Sequence, residues 1–390
     1  MKVLHVITGL DVGGAELQLD AVLQHTRNDA DVVTLYNPGP VADRLREHGV
    51  TVRNLGMRRN TELGALARLY RIIRDGRYDV VHAHLYRAQV YARPAARLAG
   101  TPVVVTTEHS IGETHIERRK MTARVRALYL ASELASDATI AVAGVVRDRL
   151  TRWGVPAGKI VVIPNGLDFS GLGHDPAARA RVREQFGIAP GAYVMGTLGR
   201  LDPNKRVDLA IEAAAPMLSE NCKLLVIGRG EDGERLEAAA RTAGVADHVI
   251  FGGYQADTTA MLSAMDLNLT TSLQETFGMS VLEALSNGLP VLYTTCPALD
   301  GITASQARQV AGNVTALRAE MAKEVEAGFR AREPVTEVMD RYGIESVAGR
   351  IDDLYERIDF ARRGRAGGRA LRSPATFHGV PVAGQSGDAA

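Results

Sequence analysis

The chain has 390 residues, a formal net charge of +1, 46% apolar residues and 23% charged residues. This length is ample for two domains with separate cores, and the composition excludes a fibrous or largely disordered chain. Two cysteines exclude a disulfide framework, and the sequence holds no apolar run long enough for a membrane-spanning helix. We therefore expect a cytoplasmic protein, and leave open a peripheral contact with the inner face of the membrane.

The first 166 residues alternate strands with helices. We predict strands at residues 3–8, 31–36, 51–55, 78–84, 102–107, 137–143 and 159–164, and helices from about residue 16, at 63–74, at 87–99 and ending at 153. This alternation is typical of a parallel, doubly wound α/β sheet, which binds ligands at the carboxyl ends of its strands. The expected domain boundary is the turn Pro164-Asn165-Gly166.

Three features of this first domain lie where strands are expected to end. The loop with Gly13 and Gly14 follows the first strand, and glycines there let the backbone approach a phosphate, although a plain tight turn is the alternative. The loop is not G-x-G-x-x-G, so it does not indicate a dinucleotide cofactor. His84 and His109 end two further strands and could share one crevice with this loop. A packed or solvated histidine is the commoner case, and we keep this interpretation for His84.

The second half of the chain repeats the pattern. We predict strands at 193–197, 223–227, 249–253, 267–270 and 289–293, with helices at 178–186, from about 207, after 233 and from about 279. A last helix is predicted at 342–361, and its apolar face is expected to contain Val347, Ile351, Leu354, Tyr355 and Ile358. Residues 362–390 are rich in glycine and arginine without periodicity and are predicted to be disordered.

The loop after the strand at 193–197 places two cations, Arg200 and Lys205, before the next helix. Fixed positive groups stabilise the charge that grows on a departing diphosphate. Arginine and lysine can do so where no aspartate-rich metal site exists. A surface loop with ordinary charges is the alternative interpretation.

The segment 274–285 runs from a polar loop into an apolar helix that begins near residue 279. Glu275 therefore precedes the helix, and Glu283 lies about one turn inside it. The backbone N–H groups of residues 277–279 would face a ligand, and a helix start favours an anion. Carboxylates accept pairs of hydroxyl hydrogen bonds, so the segment suits a phosphate-bearing ligand with hydroxyl groups. A buried amphipathic helix with a polar cap is the alternative.

Two motifs of the second half resemble the donor site of retaining nucleotide-sugar glycosyltransferases of family 4. They are the pair Glu275 and Glu283 with Phe277-Gly278 between them, and the loop from Gly199-Arg200 to Lys205. That family has the GT-B fold, an α/β fold in which two Rossmann-like, doubly wound parallel-sheet domains face a central cleft. The resemblance covers about residues 1–360. It implies an acceptor domain at 1–166, a nucleotide-sugar domain at 167–340, a helix at 341–361 that returns to the first domain, and a disordered tail at 362–390.

The resemblance also implies roles for single residues. The basic pair would hold the diphosphate, Glu275 and the amides after it would hold the transferred sugar, and Glu283 would hold the ribose diol. His109 would contact the donor sugar, and the Gly-Gly loop would face the diphosphate and the acceptor. The implied catalytic residues are Arg200, Lys205, Glu275 and His109. The implied substrate-binding residues are Gly13, Gly14, Phe277, Gly278, Met279, Ser280 and Glu283.

The same resemblance implies a reaction. A hexosyl or N-acetylhexosaminyl group would move to an acceptor hydroxyl with retention of anomeric configuration, by a front-face route in which the leaving diphosphate assists the acceptor. No protein nucleophile, metal or cofactor is expected, since the donor, a UDP- or GDP-sugar, is a substrate. The expected acceptor is a sugar or a lipid-linked molecule, and the candidates are a lipid-linked intermediate of an envelope polymer and a soluble natural product.

Two alternatives share the fold: a nucleotide-sugar epimerase and a non-catalytic sugar- or polymer-binding protein. Two segments depart from the family pattern. Thr294–Gly301 replaces the usual Gly-Gly-x-x-Glu loop, and Ser110 follows His109 where the family often has an acid. We interpret Cys296, within the first of these segments, as structural.

Residues 51–126 are basic, with fifteen Lys and Arg against six Asp and Glu, so that 15 − 6 = +9. Arg87, Arg93 and Arg97 recur along one predicted helix. A solvated helix face is the default interpretation. The alternative is an anionic acceptor or an acidic membrane surface, where each charge contributes about 1 kcal/mol. The sparse aromatics do not interleave with these charges, so we expect no nucleic-acid partner.

Overall fold

The computed structural model describes residues 1–59, 61–117 and 119–367. The chain forms two compact units. Unit 1 is Met1–Gly166 together with the chain from Ile344 onward, and unit 2 is Leu167–Gly343. Each unit is an α/β fold built on a parallel sheet, as the alternation of strands and helices predicted.

Unit 1 contains a parallel sheet covered by helices. Its strands are β1 (Lys2–Ile7), β2 (Asp29–Thr34), β3 (Thr51–Asn54), β4 (Val80–His84), β5 (Val103–Glu108), β6 (His115–Ile116), β7 (Arg119–Lys120), β8 (Ala138–Ala141) and β9 (Ile160–Val162). Its first helices are α1 (Gly14–His25), α2 (Gly39–Glu47), α3 (Leu63–Gly76), α4 (Tyr86–Leu98), α5 (Ala123–Glu133) and α6 (Gly144–Trp153). In the described residues seven strands pair in the order β3-β2-β1-β4-β5-β8-β9, and β6 pairs with β7 in a separate antiparallel ribbon.

Burial on both faces of the sheet explains the strand sequences of unit 1. All five residues of β4 are buried, and so are all six residues of β5. A parallel strand covered on both sides reads as a nearly continuous apolar run. On α3, Ala65, Leu69 and Ile73 are buried at intervals of four residues, so one stripe of the helix faces the core. Burial of a side chain such as Leu69 contributes about 1.5–3 kcal/mol.

Unit 2 repeats this architecture. Its strands are β10 (Tyr193–Leu198), β11 (Cys222–Ile227), β12 (Val249–Gly253), β13 (Leu267–Thr270), β14 (Val291–Tyr293) and β15 (Ala307–Gln309). Its helices are α7 (Pro176–Gln185), α8 (Val207–Ala214), α9 (Gly233–Thr242), α10 (Thr258–Ala264), α11 (Met279–Ser286), α12 (Val314–Ala327) and α13 (Thr336–Tyr342). The strand order is β12-β11-β10-β13-β14-β15, so the first strand of the unit, β10, lies near the middle of the sheet.

The last helix, α14 (Ile344–Gly367), packs in unit 1. The residues of its predicted apolar face are buried in one cluster with the sheet residues Val3, Val80 and Val103. The helix runs to Gly367 rather than to residue 361, and the rest of the predicted disordered tail, 368–390, lies outside the described residues. Among the described helices none is both long and apolar enough to cross a membrane.

Candidate functional site

The loop that presents Arg200 in unit 2 is fixed by a neighbouring loop. The N–H of Leu201 donates to the carbonyl of Arg229 over 3.0 Å. Gly228 has a φ of +140°, and a Cβ there would lie 1.8 Å from the carbonyl oxygen of Gly199. Only glycine permits this approach of two backbones. Arg200 itself is exposed just after β10, so a firmly held loop directs a cation towards solvent.

Lys205 closes a short 3-10 helix, Pro203–Lys205, in the same loop. Asp202 caps this turn, because its carboxylate accepts a hydrogen bond of 3.0 Å from the N–H of Asn204. The ammonium Nζ of Lys205 lies 2.6 Å from Oε1 of Glu275. The cation predicted to hold a diphosphate and the carboxylate predicted to hold a sugar are therefore in direct contact, although 70 residues separate them in the sequence.

Asn204 joins the two segments independently of that ion pair. Its side-chain Nδ2 donates to the carbonyl of Gln274 over 2.8 Å, and its Oδ1 accepts from the N–H of Gln274 over 3.1 Å. Thr271 Oγ1 also lies 2.8 Å from the carbonyl of Lys205 and 2.8 Å from that of Arg206. The sequence analysis missed both Asn204 and Thr271, because their roles are contacts between distant segments, which no local spacing reveals.

Three of the predicted residues of unit 2 also line one small cavity. Arg200, Lys205 and Ser280 surround it together with the ends of β10 and β13. A second, larger cavity of about 460 Å³ lies at the carboxyl ends of β13, β14 and β15, and its walls include Arg206, Thr294 and Gln309. The sequence analysis did not identify this second concavity, since β15 had not been predicted.

Gly278 turns the polar loop into α11. Its φ is +108°, and a Cβ there would lie 2.5 Å from Sγ of Cys296. The side chain of Phe277 is buried edge-on against Tyr342, with 5.2 Å between ring centroids. Phe277 can therefore contribute to ligand binding only through its backbone. The N–H groups of Met279 and of the residue after it begin α11, where no earlier carbonyl of the helix can accept from them.

The segment Thr294–Gly301, which departs from the motif of the resembled family, contacts the polar loop before α11 through two polar groups. Sγ of Cys296 lies 3.5 Å from the carbonyl oxygen of Phe277, and Oγ1 of Thr294 donates to the carbonyl of Ser272 over 2.6 Å. Burial raises the pKa of the Cys296 thiol to about 12. The thiol therefore stays protonated at neutral pH, which agrees with its interpretation as a structural residue.

Glu283 lies on α11 and is partly exposed, yet desolvation by the surrounding protein raises the pKa of its carboxyl to about 7. Close to neutral pH this carboxyl is thus divided between its neutral and ionised forms. Hydrogen bonds donated by the hydroxyl groups of a ligand would stabilise the ionised form of this carboxyl.

Gly13 and Gly14 begin α1 in unit 1. Gly13 is the N-cap residue and has extended backbone, with a φ of −158°. Gly14 is exposed, and a Cβ there would meet no other atom within 4 Å. Packing therefore does not require glycine at position 14.

His109 follows β5 directly and is buried beside other histidines of the sheet. Its Nε2 lies 3.2 Å from Nδ1 of His84, and Nε2 of His84 lies 3.0 Å from Nδ1 of His5. Burial lowers the pKa of His109 to about 4 and that of His5 to about 3, and it lowers the pKa of His84 well below its usual value. His84 is thus a packed residue, as expected from the sequence, but it is packed against His109.

The histidine cluster itself was not predicted. His82 and His84 are two residues apart on β4 and hence on one face of the strand, which was the available signal. His82 is held on both sides, since Nδ1 lies 2.6 Å from the hydroxyl of Tyr355 and Nε2 lies 2.7 Å from that of Thr107. Its ring centroid lies 4.2 Å from that of His84. The cluster is therefore continuous from α14 to the end of β5.

The default interpretation of the arginines on α4 as a solvated face is wrong for Arg93. This side chain is fully buried, and its guanidinium lies 2.5 Å from the carboxylate of Glu133 and 4.6 Å from the ring centroid of Tyr129. Arg97 pairs with Asp137 over 2.6 Å. Sequence spacing cannot distinguish a charge that points to water from one that has a buried partner on another helix, so the formal charge of +9 overstates the basic surface.

Two family models match this chain. Residues 12–170 match the model described as Glycosyltransferase Family 4, and residues 178–326 match the model described as Glycosyl transferases group 1. The first match lies almost wholly in unit 1 and the second lies within unit 2, so each unit has its own assignment.

Similarity to individual proteins is moderate. The chain is 27% identical over 241 residues to UDP-Gal:alpha-D-GlcNAc-diphosphoundecaprenol alpha-1,3-galactosyltransferase of Escherichia coli, covering 60% of this chain and 62% of that protein. It is 30% identical over 256 residues to D-inositol 3-phosphate glycosyltransferase of Actinosynnema mirum, covering 58% of this chain and 60% of that protein. The matches thus span slightly less than two thirds of the length of these relatives.

Solved structures resemble the chain over nearly its whole length. HepE of Anabaena, crystallised with UDP and glucose, superposes with a TM-score of 0.81 at 22% identity, covering 92% of this chain and 100% of that one. Sucrose-phosphate synthase from Thermosynechococcus elongatus gives a TM-score of 0.75 at 18% identity, covering 93% and 100%. At such identities the likeness shows the fold.

Proposed function

We propose that this chain, which belongs to glycosyltransferase family 4 and has the GT-B fold, transfers a hexosyl or N-acetylhexosaminyl group from a nucleotide-sugar to an acceptor hydroxyl. The observation on which the proposal depends is the contact of 2.6 Å between Lys205 and Glu275. In a nucleotide-sugar the bond that breaks joins the anomeric carbon to the diphosphate. Adjacent groups that bind a diphosphate and a sugar are therefore suited to bracket that bond.

The remaining residues of unit 2 extend this arrangement. Arg200 adds a second cation on the diphosphate side, and the carboxylate of Glu283 accepts hydrogen bonds from the two hydroxyl groups of the ribose on the nucleotide side. The backbone N–H groups of 277–280 hold the transferred sugar, with Phe277 fixed in the core so that the loop keeps its shape. For unit 1 we propose, separately, that His109 binds a sugar hydroxyl of the substrate and that the Gly13-Gly14 loop binds phosphate or the acceptor.

We propose a front-face reaction with retention of configuration. The acceptor oxygen forms its bond to the anomeric carbon as the bond from that carbon to the diphosphate breaks, and the acceptor proton passes to the departing diphosphate oxygen. Arg200 and Lys205 meet the negative charge that develops there, and loss of one such group typically lowers kcat about 10²–10³-fold. These two cations take the place of a metal, so EDTA should leave turnover unchanged.

The names of two relatives support the proposed donor and acceptor classes. The E. coli relative is named for a UDP-galactose donor and a diphosphoundecaprenol-linked acceptor, and the Actinosynnema relative for an inositol phosphate. Both acceptors bear phosphate. We therefore propose a UDP-hexose donor and a phosphate-bearing acceptor, a lipid-linked glycan intermediate in the first instance. The alternative acceptor is a soluble natural product, such as the 2-deoxystreptamine for which a glucosyltransferase of Streptomyces kanamyceticus is named.

Thermal stabilisation by ligands tests the donor first. UDP-glucose, UDP-galactose, UDP-N-acetylglucosamine and GDP-mannose are compared at equal concentration, and a donor at 100 times its Kd should stabilise the protein by about 2.7 kcal/mol. The best donor is then incubated with and without an undecaprenyl-diphosphate-linked sugar. Acceptor-dependent release of UDP supports a transferase, acceptor-independent formation of an epimer supports an epimerase, and stabilisation without any turnover supports a binding protein.

A further inference from the structure

Three buried histidines of unit 1, His5, His84 and His109, form one hydrogen-bonded chain. Nδ1 of His5 lies 3.0 Å from Nε2 of His84, and Nδ1 of His84 lies 3.2 Å from Nε2 of His109. The three residues come from the neighbouring strands β1 and β4 and from the residue after β5. The sheet therefore sets the order of the rings, and His84, in the middle, uses a different nitrogen for each of its two neighbours.

All three rings are neutral near pH 7. They are almost completely buried, and desolvation lowers the pKa of each of them. A neutral imidazole has one nitrogen that donates and one that accepts. The position of its single proton is set by the hydrogen bonds that the ring makes with its neighbours.

This rule couples the three tautomers. If Nδ1 of His5 donates to His84, then the proton of His84 is on Nδ1 and donates to Nε2 of His109, whose own proton is then on Nδ1. If instead Nε2 of His109 donates to His84, then the proton of every ring is on Nε2. The chain thus allows two states, all Nδ1–H or all Nε2–H. In the first state Nδ1 of His109 is a donor, and in the second it is an acceptor.

We infer that His84 is a positioning residue that sets the tautomer and the ring orientation of His109, and that His5 sets those of His84 in turn. The inference rests on the proposed function, in which His109 binds a sugar hydroxyl of the substrate. A sugar hydroxyl can donate or accept, so the state that the three rings hold selects one of these two arrangements before the donor binds. The hydrogen bond then requires no reorganisation during the reaction.

The surroundings support positioning rather than metal binding. Candidate ligand nitrogens of His5, His82 and His84 lie within 4.8 Å of one another. However, both nitrogens of His82 already have hydroxyl partners in Tyr355 and Thr107, at 2.6 and 2.7 Å. A cation would have to displace these bonds as well as those of the chain. The ring of His82, held by these two hydroxyl groups, instead packs against the ring of His84 and limits its rotation.

The first test needs no substrate. In protein labelled with ¹⁵N-histidine, long-range ¹H–¹⁵N spectra distinguish Nδ1–H from Nε2–H, and single substitutions of each histidine assign the signals. We expect His5, His84 and His109 to show the same tautomer. Two different tautomers within the chain, or a charged imidazolium at pH 7.5, would overturn the inference. So would stoichiometric binding of Zn²⁺ that shifts these signals. This measurement is independent of whether the protein is a transferase.

The second test uses two variants of His84, each of which keeps a polar group near one of the two ring nitrogens. His84→Asn places an amide near the position of Nδ1 and keeps a contact with His109, whereas His84→Gln places it near Nε2 and keeps the contact with His5. Turnover is measured with the member of the nucleotide-sugar panel that the wild type consumes. We expect kcat to fall about tenfold or more in His84→Gln but only about threefold in His84→Asn, with KM for the donor little changed in both.

A merely structural role of His84 predicts another outcome: both variants would lose activity in proportion to their loss of thermal stability. A double-mutant cycle separates the cases further. In a His109→Ala background, His84→Gln should cause no additional loss of kcat, and a full additional loss would refute the coupling. If the variants of His84 do not fold, His5→Asn and His5→Gln apply the same comparison one ring further from His109. If the wild type turns over no nucleotide-sugar, the proposed function fails, while the tautomer measurement stands.

Discussion

Replacement of Glu283 by glutamine should make the protein more stable at alkaline pH and at the same time weaken its binding of nucleotide. Glutamine keeps the shape of the side chain and removes its charge. The carboxyl of Glu283 has a pKa raised from 4.5 to about 7 by desolvation. Its ionised form is therefore unfavourable in the folded protein without ligand, and the variant is free of that cost.

The size and pH dependence of this effect follow from linkage. Between pH 4.5 and 7 the folded state binds more protons than the unfolded state, so stability falls as pH rises, and the full cost is present above pH 7. A pKa difference between 4.5 and about 7 corresponds to about 3 kcal/mol, which partial exposure of the residue reduces to about 2 kcal/mol. For a domain of the size of unit 2 this is about 4–8 °C in Tm.

Thermal unfolding at pH 5 and pH 8, with and without UDP, measures both effects. We expect Glu283→Gln to exceed the wild type in Tm at pH 8 and to approach it at pH 5, while its stabilisation by UDP falls about tenfold in apparent affinity. Glu184→Gln, at an exposed position on α7, is the matched control and should change neither quantity. A variant that is less stable at pH 8, or that gains equally at both pH values, would show that burial does not raise this pKa.

Three further changes test the remaining contacts. Lys205→Ala should lower kcat/KM for the donor about 10²–10³-fold in steady-state assays, whereas Lys323→Ala, an exposed lysine on α12, should not; equal activities would remove Lys205 from the diphosphate site. Gly278→Ala should cost about 2–4 kcal/mol in urea unfolding, because its Cβ would lie 2.5 Å from Sγ of Cys296 at a φ of +108°. The double variant with Cys296→Ala should recover part of that loss, and no recovery would locate the strain elsewhere. Asp352→Ala should cost about 3 kcal/mol, because this buried carboxylate accepts from Thr26 Oγ1, the N–H of Arg27 and Asn28 Nδ2 at 2.7–2.8 Å. The exposed neighbour variant Asp353→Ala should cost much less, and similar losses would contradict the role of burial.

Apart from β15, the strands of both sheets were predicted to within a few residues, because a strand buried on two faces has a local signature. The run Val103–Glu108 and the run Cys222–Ile227 are buried throughout, and such runs bounded by turn residues are readable without any partner. By contrast α12 has only Leu317, Met321 and Glu324 buried in fourteen residues, so its pattern was too weak to predict. The strand β15 is three residues long and mostly exposed, and it gave no signal either.

The candidate site likewise has features that short segments reveal and contacts that only the fold creates. The spacing between Glu275 and Glu283 and the order of Arg200 and Lys205 are properties of short segments, so they could be identified before any fold was known. A shared donor site for Lys205 and Glu275 was expected only as a consequence of the resemblance, and the direct ion pair between them was not predicted. Its support by Asn204, whose side chain bridges the two segments, depends on the adjacency of β10 and β13 in the sheet.

The sequence by itself determined that the chain forms two parallel α/β units and that cations and carboxylates follow particular strands, because strand and helix periods and short motifs are local. The tertiary structure alone decided what surrounds each of those groups. It buried Arg93 against Glu133, raised the pKa of Glu283 and aligned His5, His84 and His109 into one chain. Burial and hydrogen bonding between distant residues depend on which strands become neighbours, and that choice is made by packing of the whole unit rather than by any segment of it.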